Sequence, residues 1–172
     1  MVANLVVRES NGSSEDADGI WAILGPIFSQ GETYCQPRDV SKKDGLEYWS
    51  GGSHRTFVAL LEDEIVGTYF LTPNQKGGGE HVCNCGFASA AAHRGKGIAR
   101  KLLDHSIESA LEAGFLDMQF NFVISTNEIA LQLWQRNGFE IVGRLPGAFR
   151  HPSKGLVDVF VMYKHLDSGA DS

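Results

Sequence analysis

The chain has 172 residues, 42% of them hydrophobic and 21% charged, with a formal net charge of −6. That length suits one domain with its own core, expected over residues 1–166 with a frayed tail at 167–172, and the acidic balance argues against a nucleic-acid partner. No run approaches the roughly 20 apolar residues that cross a bilayer, and the first ten residues lack the apolar stretch of a secretory signal, so no membrane partner and a cytoplasmic location are expected.

Residues 5–8 read as a first strand, and Ser13 or Ser14 as the cap of a helix whose inner face carries Ile20, Trp21, Leu24, Ile27 and Phe28. Pro26 is expected to kink or shorten that helix, and Gly31 to close it. After an irregular stretch, residues 42–49 form a second helix that ends at Ser50-Gly51-Gly52. Residues 55–62 and 65–72 are two β-rich runs joined by a tight turn at Asp63-Glu64, and a glycine-rich loop leads on to a fourth strand at 81–90. The period then changes from two to about 3.6, and Ile98, Leu102, Leu103, Ile107, Ala110 and Leu111 form the stripe of a helix stopped by Gly114.

Residues 116–124 alternate, with Leu116, Met118, Phe120 and Phe122 on one side and Asp117, Gln119, Asn121 and Val123 on the other. Ser125 and Glu128 have capping-box spacing at the start of a helix that closes at Asn137-Gly138. Strands at 139–145 and 156–163 complete the pattern, which predicts a mixed α/β fold with one sheet covered by helices.

The most informative stretch is His93-Arg94-Gly95-Lys96-Gly97-Ile98-Ala99-Arg100, between a strand and a long helix. Small residues there let main-chain N–H groups approach a ligand, and the helix start adds its positive dipole end, an arrangement suited to a pyrophosphate. Arg94, Lys96, Arg100 and Lys101 crowd this turn, with no carboxylate before Asp104. A dinucleotide fingerprint fails on detail, because Arg100 stands where the third glycine belongs and the motif follows a hairpin rather than opening the first βαβ unit.

Arg94-x-x-Gly97-x-Ala99 resembles the Arg/Gln-x-x-Gly-x-Gly/Ala signature of GNAT acetyltransferases. The later segment Asn127-x-x-Ala130-x-x-Leu133-Trp134-x-x-x-Gly138-Phe139 is similar to a second motif of the same superfamily. The resemblance covers about residues 56–166 and implies the GNAT fold, with a mainly antiparallel central sheet flanked by helices, and acetyl-CoA as acetyl donor. It implies that Arg94, Gly95, Lys96, Gly97, Ile98, Ala99 and Arg100 hold the CoA pyrophosphate, and that the main chain of Phe87, Ala88 and Ser89 meets the pantetheine arm.

Within the superfamily, Cys83-Asn84-Cys85-Gly86-Phe87, Phe120-Asn121-Phe122, Thr126-Asn127 and the upstream Gly31-Glu32-Thr33-Tyr34 resemble the fungal azetidine-2-carboxylate and proline-type N-acetyltransferases. That likeness implies catalytic and substrate-handling roles for Asn84 and Asn121 and a CoA contact for Asn127. The ending Gly143-Arg144-Leu145-Pro146-Gly147-Ala148-Phe149-Arg150-His151 is similar to phosphinothricin-type amino-acid N-acetyltransferases, where Arg144 or Arg150 would clamp a substrate carboxylate. The likeness implies a small-molecule amine acceptor and a homodimer, the alternative readings being a protein or peptide N-acetyltransferase and a non-catalytic CoA-binding sensor.

The residue chemistry agrees with those roles. An amide beside small residues, as at Asn84 and Asn121, donates to a developing oxyanion or accepts from an amine, and the competing reading is an asparagine that ties strands together. Cys83-x-Cys85 has no partner pair at zinc spacing, so no metal is expected, and Cys85 as a nucleophile would need His81 as its base. Trp134 stands where the family carries a tyrosine acid, leaving Tyr34, water or unaided thiolate departure to complete the proton balance; Glu80 and His81 are candidate bases.

Overall fold

The computed structural model describes residues 4–167; the part of the expected frayed tail at 168–172 lies outside the described residues. The chain runs β1 (Leu5–Glu9), α1 (Ser14–Gln30), α2 (Lys42–Ser50), β2 (Arg55–Leu61), β3 (Glu64–Pro73), β4 (Val82–Ser89), α3 (Ile98–Glu112), β5 (Asp117–Ile124), α4 (Glu128–Arg136), β6 (Glu140–His151) and β7 (Gly155–His165). Seven strands form one sheet in the order β1-β2-β3-β4-β5-β7-β6, antiparallel at every seam except β4/β5. This is the mixed, mainly antiparallel sheet expected from the sequence.

Strand alternation builds a core on each face. Val58 and Phe70 join Ile20, Leu24 and Phe28 of α1 and Trp49 of α2 on one side. Their neighbours Phe57, Ala59, Tyr69 and Leu71 join Ile98, Leu102 and Leu103 of α3 on the other. Ser13 caps α1, its hydroxyl accepting from the Asp16 N–H at 3.2 Å. Pro26 does not shorten α1, because apolar residues buried on both sides of it hold the helix on the sheet through Gln30.

Four expectations give way to local geometry. The β2–β3 turn is Glu62-Asp63, both at positive φ (+50° and +69°), the conformation whose twist matches a two-residue hairpin; Glu64 already belongs to β3. In β5 a register shift opposite β7 between Phe120 and Val123 breaks the alternation, burying Val123 and leaving Phe122 38% exposed. The capping box does not form, since the cap of α4 is Asn127 and the Ser125 N–H donates instead to the Asp158 carbonyl at 3.0 Å. Finally, β6 resumes pairing at Phe149–His151 after an irregularity, so the β6–β7 hairpin reaches farther than its apolar runs suggest.

Candidate active site

β4 and β5 pair only at Val82↔Asp117 and Cys83↔Met118, after which β4 follows β3 and β5 follows β7, opening a wedge in the sheet. The alternation of β4 decides which of its groups the wedge exposes. The His81 carbonyl accepts from the Leu116 N–H at 2.9 Å on the β5 side. On the β3 side, the Val82 carbonyl accepts from the Asn74 N–H at 2.8 Å and the Ala90 N–H donates to Val66 at 2.8 Å. Cys85, Phe87 and Ser89 therefore turn main-chain groups into the wedge, while Ala88 turns its own toward β3. Of the three residues expected to offer backbone contacts, Phe87 and Ser89 are so oriented; Ala88 lines the opening without that contact.

A cavity of about 1370 Å³ fills the wedge and continues along the start of α3. It exceeds the roughly 300–1,000 Å³ of ordinary small-ligand sites, leaving room for a long ligand and a second small molecule. Gly86 lines it at β4, where a Cβ would collide with the Phe70 ring, so the position admits glycine alone if Phe70 keeps its place.

The loop before α3 is shaped by two left-handed glycines, Gly95 (φ +78°) and Gly97 (φ +75°). Gly97 caps α3 without a side-chain acceptor, and the first helical hydrogen bond is from the Lys101 N–H to the Gly97 carbonyl at 3.0 Å. The N–H groups of Ile98, Ala99 and Arg100 thus lack helical partners and form a ready anion site, while the Ile98 side chain is buried in the core. Arg94 and Arg100 line the cavity, but Arg100 also grips Asp104, its Nε 2.9 Å from the carboxylate. Lys96 faces away from the lining and sets its ammonium 3.3 Å from His93 Nδ1.

Asn84, Asn121 and Asn127 all line the cavity. The Asn84 amide forms no hydrogen bond to another described residue and so is available to a ligand. Asn121 is oriented by its neighbours, its amide donating to Asn74 Oδ1 at 2.7 Å and accepting from Gln119 at 3.0 Å. Asn127 leaves its side chain free while its main chain caps α4.

Tyr34 donates its hydroxyl to the Phe87 carbonyl at 2.7 Å, and burial pushes that phenol far above its ordinary range, so it keeps its proton. Burial likewise pushes the Cys85 thiol up, which removes it as a nucleophile. Trp134 also touches the cavity, though the residue is only 7% exposed and its ring packs against Phe87 and Phe120 at centroid distances of 5.0 and 4.9 Å. Glu80, His81, Arg144 and Arg150 lie outside the lining, and Arg144 pairs with Asp158 at 3.3 Å. The hairpin tip instead brings in His151, Ser153 and Lys154, whose arrival no local spacing announced. Among the described residues there is no group of three or more His, Cys, Asp or Glu side chains able to hold a metal ion.

Residues 18–139 match the model of the Acetyltransferase (GNAT) family. The N-acetyltransferase aca1 of Schizosaccharomyces pombe is 34% identical over 109 residues, covering 63% of this chain and 52% of aca1, so the chain spans about half the length of that relative. A GCN5-related N-acetyltransferase from Kribbella flavida superposes with a TM-score of 0.87 at 37% identity, covering 94% of this chain and 98% of that one. A phosphinothricin acetyltransferase from Sinorhizobium meliloti, solved with AcCoA, shares the fold with a TM-score of 0.81 at 19% identity, covering 100% and 92%.

Proposed function

The chain belongs to the acetyltransferase (GNAT) family, and from that premise we propose that it transfers the acetyl group of acetyl-CoA to the amine of a small molecule, an amino acid or amino-acid analogue. The observation that carries this reading is the junction of an open β4 edge with an uncapped helix start. An extended amide-bearing arm suits the first and a diphosphate the second.

Arg94, Gly95, Gly97, Ile98, Ala99 and Arg100 would take the diphosphate, with Lys96 adding positive field from outside the cavity. Phe87 and Ser89 would pair with the pantetheine amides, and Asn127, which lines the same cavity, would contact the bound CoA. Acetyl-CoA supplies an activated acyl group. The protein's own task is to orient the amine and offer donors to the carbonyl oxygen, for which the wedge-facing N–H groups and the Asn84 and Asn121 amides are the candidates.

An amino-acid acceptor is supported by the mixture lining the cavity, with Ile23, Ile27 and Phe70 as apolar wall and Lys154 as a cation for a carboxylate. The proposal includes a homodimer, supported by apolar exposure on the edge strand β6 at Ile141, Val142 and Leu145 and on neighbouring Leu156, and tested by sedimentation of wild type against Val142→Asp. It also includes a cytoplasmic setting, for which free Cys35, Cys83 and Cys85 are the support.

The test is incubation with acetyl-CoA and a panel of amines, proline-like and azetidine-like amino acids included, read by mass spectrometry. A free amino acid gaining one acetyl group is the expected result. Acetylation of peptides alone would replace the acceptor class, and failure to bind CoA in calorimetry would remove the whole reading.

A further inference from the structure

An amine acceptor arrives as an ammonium ion and must lose a proton before its nitrogen attacks. The cavity is poor in groups that could take it. Arg94, Arg100, Arg136 and Lys154 are cations, and against them stands, among the described residues, a single lining carboxylate, Glu32.

The neutral candidates are excluded one by one. His151 Nδ1 accepts the Ser153 N–H at 3.1 Å, which leaves the neutral ring's proton on Nε2 as a donor. His93 is placed similarly, with Nδ1 3.3 Å from the Lys96 ammonium and Nε2 3.7 Å from Glu64. Burial raises the phenols of Tyr34 and Tyr48 and the thiols of Cys35 and Cys85, so all four stay protonated.

The main chain that carries Glu32 is fixed on both sides. Glu32 follows Gly31, whose left-handed cap (φ +68°) ends α1, and lies two residues before Tyr34, which fastens this loop to the Phe87 carbonyl in the wedge. The cation beside this turn, Arg38, packs against Gly31 and donates its Nε to the Ser29 carbonyl at 2.7 Å. Glu32 itself has no ion-pair partner among the described residues.

We infer that Glu32 is the group that receives the acceptor's ammonium and takes its proton, an inference that rests on the acetyltransferase reading above. The N–H bond breaks with its electron pair staying on nitrogen, and the proton moves to the Glu32 carboxylate and then to water, Glu32 being exposed at the rim. The neutral nitrogen forms the new C–N bond as the thioester C–S bond breaks; the nitrogen then releases its second N–H proton to water, keeping the electron pair, and the departing thiolate takes a proton from solvent, leaving amide and free thiol.

The experiment compares wild type, Glu32→Gln and Glu32→Asp with the best acceptor of the panel, from about pH 6 to about pH 10, alongside CoA calorimetry. Glu32→Gln should lose about 100-fold in kcat/KM at pH 7 and recover as pH approaches the amine's own pKa. Its CoA affinity and thermal midpoint should not change, and Glu32→Asp should retain part of the activity and the wild-type pH profile. Wild-type kcat/KM and an unchanged profile in Glu32→Gln would overturn the inference. A wild-type enzyme that binds CoA yet acetylates no amine would instead overturn the acetyltransferase reading, and this inference with it.

Discussion

The two edges of β4 are made from the same eight residues and have opposite fates. Toward β3 the strand holds seven register pairs, from Gly67↔Ser89 to Pro73↔Cys83, whereas toward β5 it holds two. Buried main-chain groups need partners, so the closed edge contributes to the core while the open edge is left to seek a ligand. In the proposed reaction, binding begins with this withheld pairing, and the Asn84 and Asn121 side chains would add to what the main chain offers.

The sharpest way to break that comparison is to remove a side chain from the open side and another from the closed one. Asn121→Ala should lower kcat by about 10²–10³-fold, as loss of one oriented oxyanion donor does, with CoA affinity nearly intact by calorimetry. Unchanged turnover would remove Asn121 from the chemistry. On the closed side, Asp16 is 2% exposed and accepts two hydrogen bonds from Arg8 at 2.8 Å, with Ser10 at 2.9 Å and the Asn11 N–H at 3.0 Å. Arg8→Met strands that carboxylate and should cost roughly 3 kcal/mol in urea unfolding without altering kcat.

The same clamp makes a pH prediction. Hydrogen bonds from Arg8 hold the Asp16 carboxyl well below the usual range, so the native state binds its proton less readily than the unfolded chain. The resulting stability is complete above about pH 4 and is lost as pH falls through the lowered native value. Arg8→Met should flatten this acid limb of the stability profile; an identical limb would assign it to other carboxylates.

A smaller effect is expected at the helix start that continues the open edge. Gly97→Ala forces an L side chain to φ +75°, a cost of about 1–2 kcal/mol, and should weaken CoA binding about tenfold as the loop relaxes. Gly97 was legible from the sequence because its chemistry is local: a basic, glycine-bearing turn at the start of an apolar stripe. The sheet with its flanking helices was legible for the same reason, through apolar periodicity. The wedge was not, since a register that stops after Cys83↔Met118 leaves no mark on either strand's composition. Nor was the β5 bulge that exchanges Phe122 for Val123, or the hairpin tip that brings Lys154 to the cavity, because both depend on pairing between segments distant in the chain.

The smallest expected effect is at Trp134, where the two sides of β4's neighbourhood meet. Its indole lies among Phe87, Phe120 and Phe139, and an indole N–H is too weak an acid to protonate a departing thiolate. A thiolate with a conjugate acid near pKa 8.5 leaves readily at neutral pH, so no acid is required there. Trp134→Tyr should cost about 1 kcal/mol of stability through the lost ring volume and change kcat by less than about threefold. A tenfold rise in kcat would mean that proton delivery limits the wild type, and would make the aromatic cluster part of the reacting side of the wedge rather than its wall.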